Sequence, residues 1–86
     1  MPRTIVSLLG RPGCHLCDEA RAVVERVVAD ERAGGSEIGL EELSVLDDPA
    51  LEARWHDDVP VVLVDGRLHG RWRIDPEALR RALRPG

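Results

Sequence analysis

The stretch that decides the fold is TIVSLLGRPGCHLC, residues 4–17. Thr4 to Leu9 is almost continuously apolar and rich in β-branched residues, which predicts a strand buried on both faces. Gly10 to Gly13 contains two glycines and a proline, so we expect a loop there. Cys14 and Cys17 follow this loop directly. The stretch therefore predicts a strand, a tight loop and a helix that begins at a pair of cysteines.

The helix that begins at the cysteines has one apolar face. Its apolar residues recur at helical spacing and are Leu16, Ala20, Val23, Val24, Val27 and Val28. Gly34 and Gly35 come after the last of them and are expected to end the helix.

A second strand follows, with less certain bounds. In an alternating strand, Ile38 and Leu40 would lie on one face of the sheet. Leu43 and Val45, which follow Glu41 and Glu42, would lie on the other face. Either a bulge lies at this change or the strand begins near Glu41. We predict a strand over Glu41 to Leu46. Asp48 is then the N-cap of a short helix from Pro49 to about Trp55.

The last third of the chain predicts a hairpin and a helix. Val61 to Val64 is a buried strand, and Asp65-Gly66 is a two-residue turn that returns Arg67 to Gly70 as an edge strand. Asp75 and Pro76 begin a helix that runs to about Leu83. The whole order is β-α-β-α-β-β-α. This predicts an α/β fold in which three helices flank a four-stranded mixed sheet on both faces.

Length and composition limit the possible functions. A chain of 86 residues, 43% of them apolar, predicts one folded domain over residues 1–86. The net charge of −4 argues against binding to nucleic acid phosphates. No apolar run approaches the ~20 residues of a membrane span, and no signal-peptide pattern begins the chain. We therefore expect a cytoplasmic protein that binds neither membranes nor nucleic acid, and we expect a monomer.

The C-x-x-C spacing of Cys14 and Cys17 suits redox chemistry. Helix N-terminal N–H groups and the helix dipole stabilise a thiolate and lower the pKa of a cysteine at that position. Cys14 is therefore the expected attacking thiol, and Cys17, one turn further on, is expected to resolve a mixed disulfide. A protonated His15 would stabilise the Cys14 thiolate further, whereas Asp18 and Glu19 bring negative charge to the same turn.

Two other functions are compatible with the same cysteines. Two thiolates are half of a tetrahedral zinc site, or they could share an iron–sulfur cluster between two chains. No second cysteine or histidine pair completes a site within this sequence, so we predict no metal ligands. The chain could also be a non-catalytic adaptor.

The strand, the loop, the Cys14–Cys17 pair, the helix and the later Val59-Pro60 before a strand resemble the thioredoxin fold. More closely, the chain is similar to short bacterial glutaredoxin-like proteins, with Gly13 to Asp18 at the site and Arg71 to Arg73 before the last helix. The resemblance covers nearly the whole chain. It implies a thiol–disulfide oxidoreductase in which Pro60 is a cis proline beside the cysteines. The Val59 main chain would then pair with an extended substrate.

The resemblance also bears on the reductant. It implies that Arg11, just before the first cysteine, contacts a thiol ligand such as glutathione. Many glutaredoxins carry a Gly-Gly pair followed by acids near the start of the last helix, where this chain has the stretch from Gly70 to Asp75. Trp72 either lines a substrate groove or covers the core. All twelve basic residues are arginine, as is typical of GC-rich genomes, and some GC-rich bacteria use a different thiol. The expected partners are a disulfide-containing protein or a low-molecular-weight thiol. The electron donor is glutathione, another such thiol or a reductase protein, and no cofactor is expected to stay bound.

Overall fold

Four strands and three α-helices make up the computed structural model, which describes residues 3–84. In chain order they are β1 (Thr4–Gly10), α1 (His15–Ala33), β2 (Ile38–Ser44), α2 (Pro49–Trp55), β3 (Val61–Val64), β4 (Arg67–Arg71) and α3 (Pro76–Leu83). One turn of 3-10 helix, Val45–Asp47, connects β2 to α2. The predicted order of elements is confirmed, as are the bounds of α2, β3 and α3.

The strands form one mixed sheet in the order β2-β1-β3-β4. β1 runs parallel to β2, whereas β3 runs antiparallel to both β1 and β4. The last residues of β1 therefore lie beside the first residues of β3, and Leu9 is paired with Val61. This pairing brings the loop that carries Cys14 next to the segment that carries Pro60.

The predicted bounds of the second strand, Glu41 to Leu46, are wrong. β2 begins at Ile38 and pairs with β1 in one continuous register from Thr4–Ile38 to Gly10–Ser44, without a bulge. Because β2 is an edge strand, Glu41 and Glu42 remain exposed within it. The alternation breaks because the strand is buried only at its beginning: Ile38 is buried, Leu43 is 37% exposed, and the buried Val45 already belongs to the 3-10 turn after the strand.

Local capping and turn residues form the contacts that their types predict. Asp48 and Asp75 accept hydrogen bonds from the N–H groups of Ala50 and Glu77, at 2.8 and 3.0 Å, at the beginnings of α2 and α3. Asp65 and Gly66 have φ values of 52° and 80°, as a tight hairpin turn requires. No helix in residues 3–84 is both long and apolar enough to cross a bilayer.

Two apolar clusters form the core, one on each face of the sheet. The larger one joins the sheet to α1 and α3, and its buried members are Val6, Leu8, Ala20, Val24, Val27, Val28, Ile38, Val62, Ile74, Leu79 and Leu83. The smaller one consists of Leu9, Cys17, Val45, Trp55, Val59 and Val61, with Cys14 packed against it. The cysteine pair therefore belongs to the smaller core cluster rather than to a separate surface loop.

Candidate functional site

Cys14 and Cys17 are joined in a disulfide at the N-terminus of α1, with their Cα atoms 5.2 Å apart. Cys14 is the N-cap residue, and its sulfur accepts a hydrogen bond from the N–H of Cys17 at 3.1 Å. Cys14 is partly exposed, whereas Cys17 is only 3% exposed. The same N–H group would stabilise a Cys14 thiolate in the reduced protein. Accessibility and hydrogen bonding thus both favour Cys14 as the attacking thiol.

The segment before β3 lies against this disulfide. The Val59–Pro60 peptide bond is cis, as the resemblance implies. The buried side chain of Val59 belongs to the same core cluster as Cys17. Within residues 3–84, neither the main-chain N–H nor the C=O of Val59 has a hydrogen-bond partner. The structure therefore brings Val59 into the core cluster of both cysteines, and Pro60 follows it in the chain.

Trp72 lies over the same segment. Its main-chain N–H donates a hydrogen bond to the C=O of Pro60 at 2.7 Å, and its indole N–H donates to the C=O of Asp57 at 3.4 Å. Arg71 stacks on the indole, 5.4 Å from its centre, and forms an ion pair with Asp58 at 3.3 Å. Trp72 is 48% exposed and has a φ of 65°. It is therefore held beside the proline that adjoins the cysteines and is not part of the core.

Trp72 also forms one wall of a groove on the outer side of α1. The groove has a volume of about 190 Å³ and is lined by Glu19, Ala20, Val23, Trp72, Arg73 and Ile74. Four of these lining residues are apolar, and the other two are an acid, Glu19, and a base, Arg73. A larger cavity of about 690 Å³ lies at the opposite end of β1, near Thr4 and Ile38, and is lined by none of the predicted site residues.

Arg11 and His15 are neighbours of the disulfide in the chain. Arg11 is in the loop after β1, and His15 is the first residue of α1. Both are exposed, and in residues 3–84 neither side chain forms a hydrogen bond or an ion pair. Their roles in binding stay predictions.

The charge of Asp18 is compensated. Its carboxylate forms an ion pair with Arg21 at 2.9 Å, and Arg21 also binds Glu42 on β2. The hydrogen bond with Glu42, followed by that with Asp18, raises the pKa of Arg21, so this side chain stays cationic. Arg21 therefore offsets part of the negative charge that Asp18 brings to the first turn of α1. The contact between Arg21 and Glu42 was not predicted, because these residues are 21 positions apart in the sequence.

In the part of the chain that the structure describes, no group of three or more His, Cys, Asp or Glu residues is placed to hold a metal ion.

Comparison with known proteins agrees with this geometry. The family model described as Glutaredoxin-like domain (DUF836) matches residues 5–84. The chain belongs to this glutaredoxin-like family. An uncharacterized protein of Mycobacterium tuberculosis is 36% identical over 87 residues, which cover 93% of this chain and 82% of the relative.

Solved structures extend the likeness to the fold. A protein of X. campestris, solved by X-ray crystallography, has 34% identity and a TM-score of 0.67, covering 91% of this chain and 93% of its own. The NMR structure of a Nitrosomonas europaea protein has 26% identity and a TM-score of 0.74, with 98% and 94% covered. A mutant thioredoxin of Halobacterium salinarum has 18% identity and a TM-score of 0.66, with 95% and 73% covered, and shows the fold alone.

Family, fold and disulfide agree on one class of chemistry. The fold is thioredoxin-like, and its adjacent cysteines form a disulfide at a helix N-terminus. These features support a thiol–disulfide redox function in general.

Proposed function

We propose that the protein is a thiol–disulfide oxidoreductase that reduces mixed or protein disulfides. The observation that carries this proposal is the difference in burial within the disulfide. The Cys14 sulfur caps α1 at the surface, whereas Cys17 is 3% exposed in the core cluster behind it. An accessible sulfur can attack a large substrate, and a buried neighbour can displace the product without competing for that substrate.

The reaction consists of two exchanges. The Cys14 thiolate attacks one sulfur of the substrate disulfide, a Cys14–substrate disulfide forms, and the other substrate sulfur leaves as a thiolate. The Cys17 thiolate then attacks the Cys14 sulfur, and the second substrate thiolate leaves. The substrate gains two electrons, and the protein becomes the disulfide form. The helix N-terminal N–H groups stabilise negative charge on Cys14 whenever it is the attacking or leaving group.

We assign the substrate-binding site to residues around the disulfide. Val59, before the cis Pro60, offers an unpaired main-chain N–H and C=O to an extended substrate backbone. The exposed indole of Trp72 is assigned apolar contact with the substrate, and Arg11 and His15 are assigned positive or hydrogen-bonding contacts. Three observations support these assignments: the core cluster shared by Val59 and Cys17, the hydrogen bond from Trp72 to Pro60, and the exposure of the Arg11 and His15 side chains.

Electrons return to the protein from a second thiol. The proposed electron donor is glutathione, another low-molecular-weight thiol or a reductase protein. We further propose that the protein acts as a monomer in the cytoplasm, where reducing thiols are abundant.

Trapping of the intermediate tests the order of attack. Cys17→Ser removes the resolving thiol, so Cys14 should accumulate a stable mixed disulfide with a peptide disulfide substrate, detected by intact mass. Cys14→Ser, the matched control, should form at least ten times less adduct, roughly in proportion to the accessibility of its remaining thiol. Equal adduct in the two variants would refute the assigned roles.

Redox titration tests the function itself. The wild-type pair, read by alkylation mass shift in a thiol redox buffer, should show a two-electron midpoint of roughly −180 to −270 mV, the range of exchange catalysts. If the disulfide does not form reversibly, the proposal fails. Thiols that react only after a chelator is added would indicate a metal-binding protein instead.

A further inference from the structure

Gly10 lies unusually close to Cys17. It is the last residue of β1, paired with Ser44 in the regular register, and the sequence pattern assigns it to a loop. A Cβ atom at this position would lie 3.1 Å from the Cys17 sulfur and 3.3 Å from the Cys17 Cβ. Favourable contacts of carbon atoms are about 3.5–4.0 Å, so a side chain would press on the buried thiol.

Backbone conformation does not explain this glycine. Gly13, Gly35 and Gly66 have positive φ values, but Gly10 does not. What distinguishes Gly10 is the space that it leaves for the Cys17 sulfur. A glycine at the end of a strand is typical of such a close approach.

We propose that Gly10 is a positioning residue for Cys17, an inference that rests on the proposed function. The missing side chain lets the Cys17 sulfur lie over the end of β1 and within reach of Cys14. In the disulfide the bond to Cys14 holds this sulfur in place, whereas a free thiol can rotate to another rotamer. A methyl group at position 10 therefore destabilises the disulfide more than the dithiol. The same methyl group slows the attack of Cys17 on the Cys14 sulfur. It does not affect the first step, in which Cys14 attacks the substrate.

Gly10→Ala tests this inference through two readouts. One added methyl in a well-packed site changes an equilibrium constant about tenfold. The dithiol–disulfide equilibrium should therefore move about tenfold toward the dithiol, which raises the midpoint potential by about 30 mV at 29.6 mV per tenfold. With Ellman's reagent, Cys14 attack releases one coloured thiolate and Cys17 attack releases a second. The second release should slow about tenfold, and the first should change by less than about twofold.

Gly34→Ala is the matched control. Gly34 follows the far end of α1, and its Cβ would meet only ordinary contacts, the nearest at 3.5 Å. This variant should leave both releases and the midpoint unchanged. If Gly10→Ala behaves like Gly34→Ala, or slows both releases equally, the positioning role is refuted and the proposed function stands. If the wild type gives no second release and no reversible disulfide, the proposed function fails and the positioning role fails with it.

A comparison of oxidised and reduced protein keeps the test decisive if Gly10→Ala folds poorly. Urea unfolding would measure the loss of stability caused by Gly10→Ala in the disulfide form and in the dithiol form. The loss should be at least twofold larger in the disulfide form, because only the bond to Cys14 holds the sulfur against the added methyl. An equal loss in both forms would overturn the inference.

Discussion

Trp72 has a left-handed backbone at φ 65°, a conformation that glycine tolerates better than alanine. We therefore predict that Trp72→Gly is more stable than Trp72→Ala. This order is the reverse of the usual one, since glycine normally costs about 0.5–1 kcal/mol relative to alanine within an element. The comparison isolates the backbone, because both variants lack the same indole.

The magnitude follows from the exposure and the conformation of Trp72. The side chain is 48% exposed, so both variants lose about half of the burial of a tryptophan, roughly 100 Å² or about 2.5 kcal/mol. Alanine keeps the left-handed penalty of about 1–2 kcal/mol, and glycine does not. After the ordinary cost of glycine is subtracted, the glycine variant should be more stable by about 0.5–1 kcal/mol. That difference corresponds to about 2–8 °C in Tm for a domain of this size.

Urea denaturation of the oxidised variants measures the difference, provided that the m-values agree. Leu68 on β4 is the control position, because it is 45% exposed and has no positive φ. There the alanine variant should be the more stable one. The same order at both positions would refute the claim that the tertiary structure holds Trp72 in a strained backbone. If the indole also binds substrate, Trp72→Gly should reduce protein disulfides more slowly while its Cys14 alkylation rate stays unchanged.

Three further predictions concern stability and are measured by urea unfolding. Leu79 is fully buried between α3 and the sheet, so Leu79→Ala should lower the free energy of unfolding by about 2–5 kcal/mol, and a loss below about 1 kcal/mol would contradict the packing. Asp75 caps α3, so Asp75→Ala should cost about 1 kcal/mol, whereas Asp75→Asn should retain most of the stability. The buried Ser7 hydroxyl donates a hydrogen bond to Glu41 at 2.7 Å, so Glu41→Ala should cost about 1–3 kcal/mol; an equal cost in a Ser7→Ala background would show that this bond is not the cause.

Much of the fold follows from local patterns. The apolar run of β1, the amphipathic face of α1 and the N-caps Asp48 and Asp75 each depend on residues a few positions apart, and all were predicted correctly. β2 was misplaced because its residues from Glu41 to Leu43 are exposed, so the apolar alternation does not follow a buried face there. That exposure depends on the place of β2 at the sheet edge, which is not visible within the strand itself.

The candidate site divides in the same way. Cys14 and Cys17 are recognisable from their spacing after a strand and a loop, and the cis bond before Pro60 follows from family resemblance. The pair formed by Arg21 and Glu42 was not predicted, since two residues so far apart meet only when the β1–β2 register is known. The sequence also leaves open whether Trp72 covers the core or lines a groove, because its contacts with Asp57 and Pro60 are not local in the sequence.

The sequence by itself determined which residues can do redox chemistry and which segments are helix, strand or turn. These properties depend on residue type and on periodicities read over neighbouring positions. Only the tertiary structure decided that Gly10 contacts Cys17, that Arg21 binds Glu42 and that Trp72 lies over Pro60. These contacts depend on helix packing and strand pairing, which place side chains within a few ångströms of partners that periodicity alone does not identify.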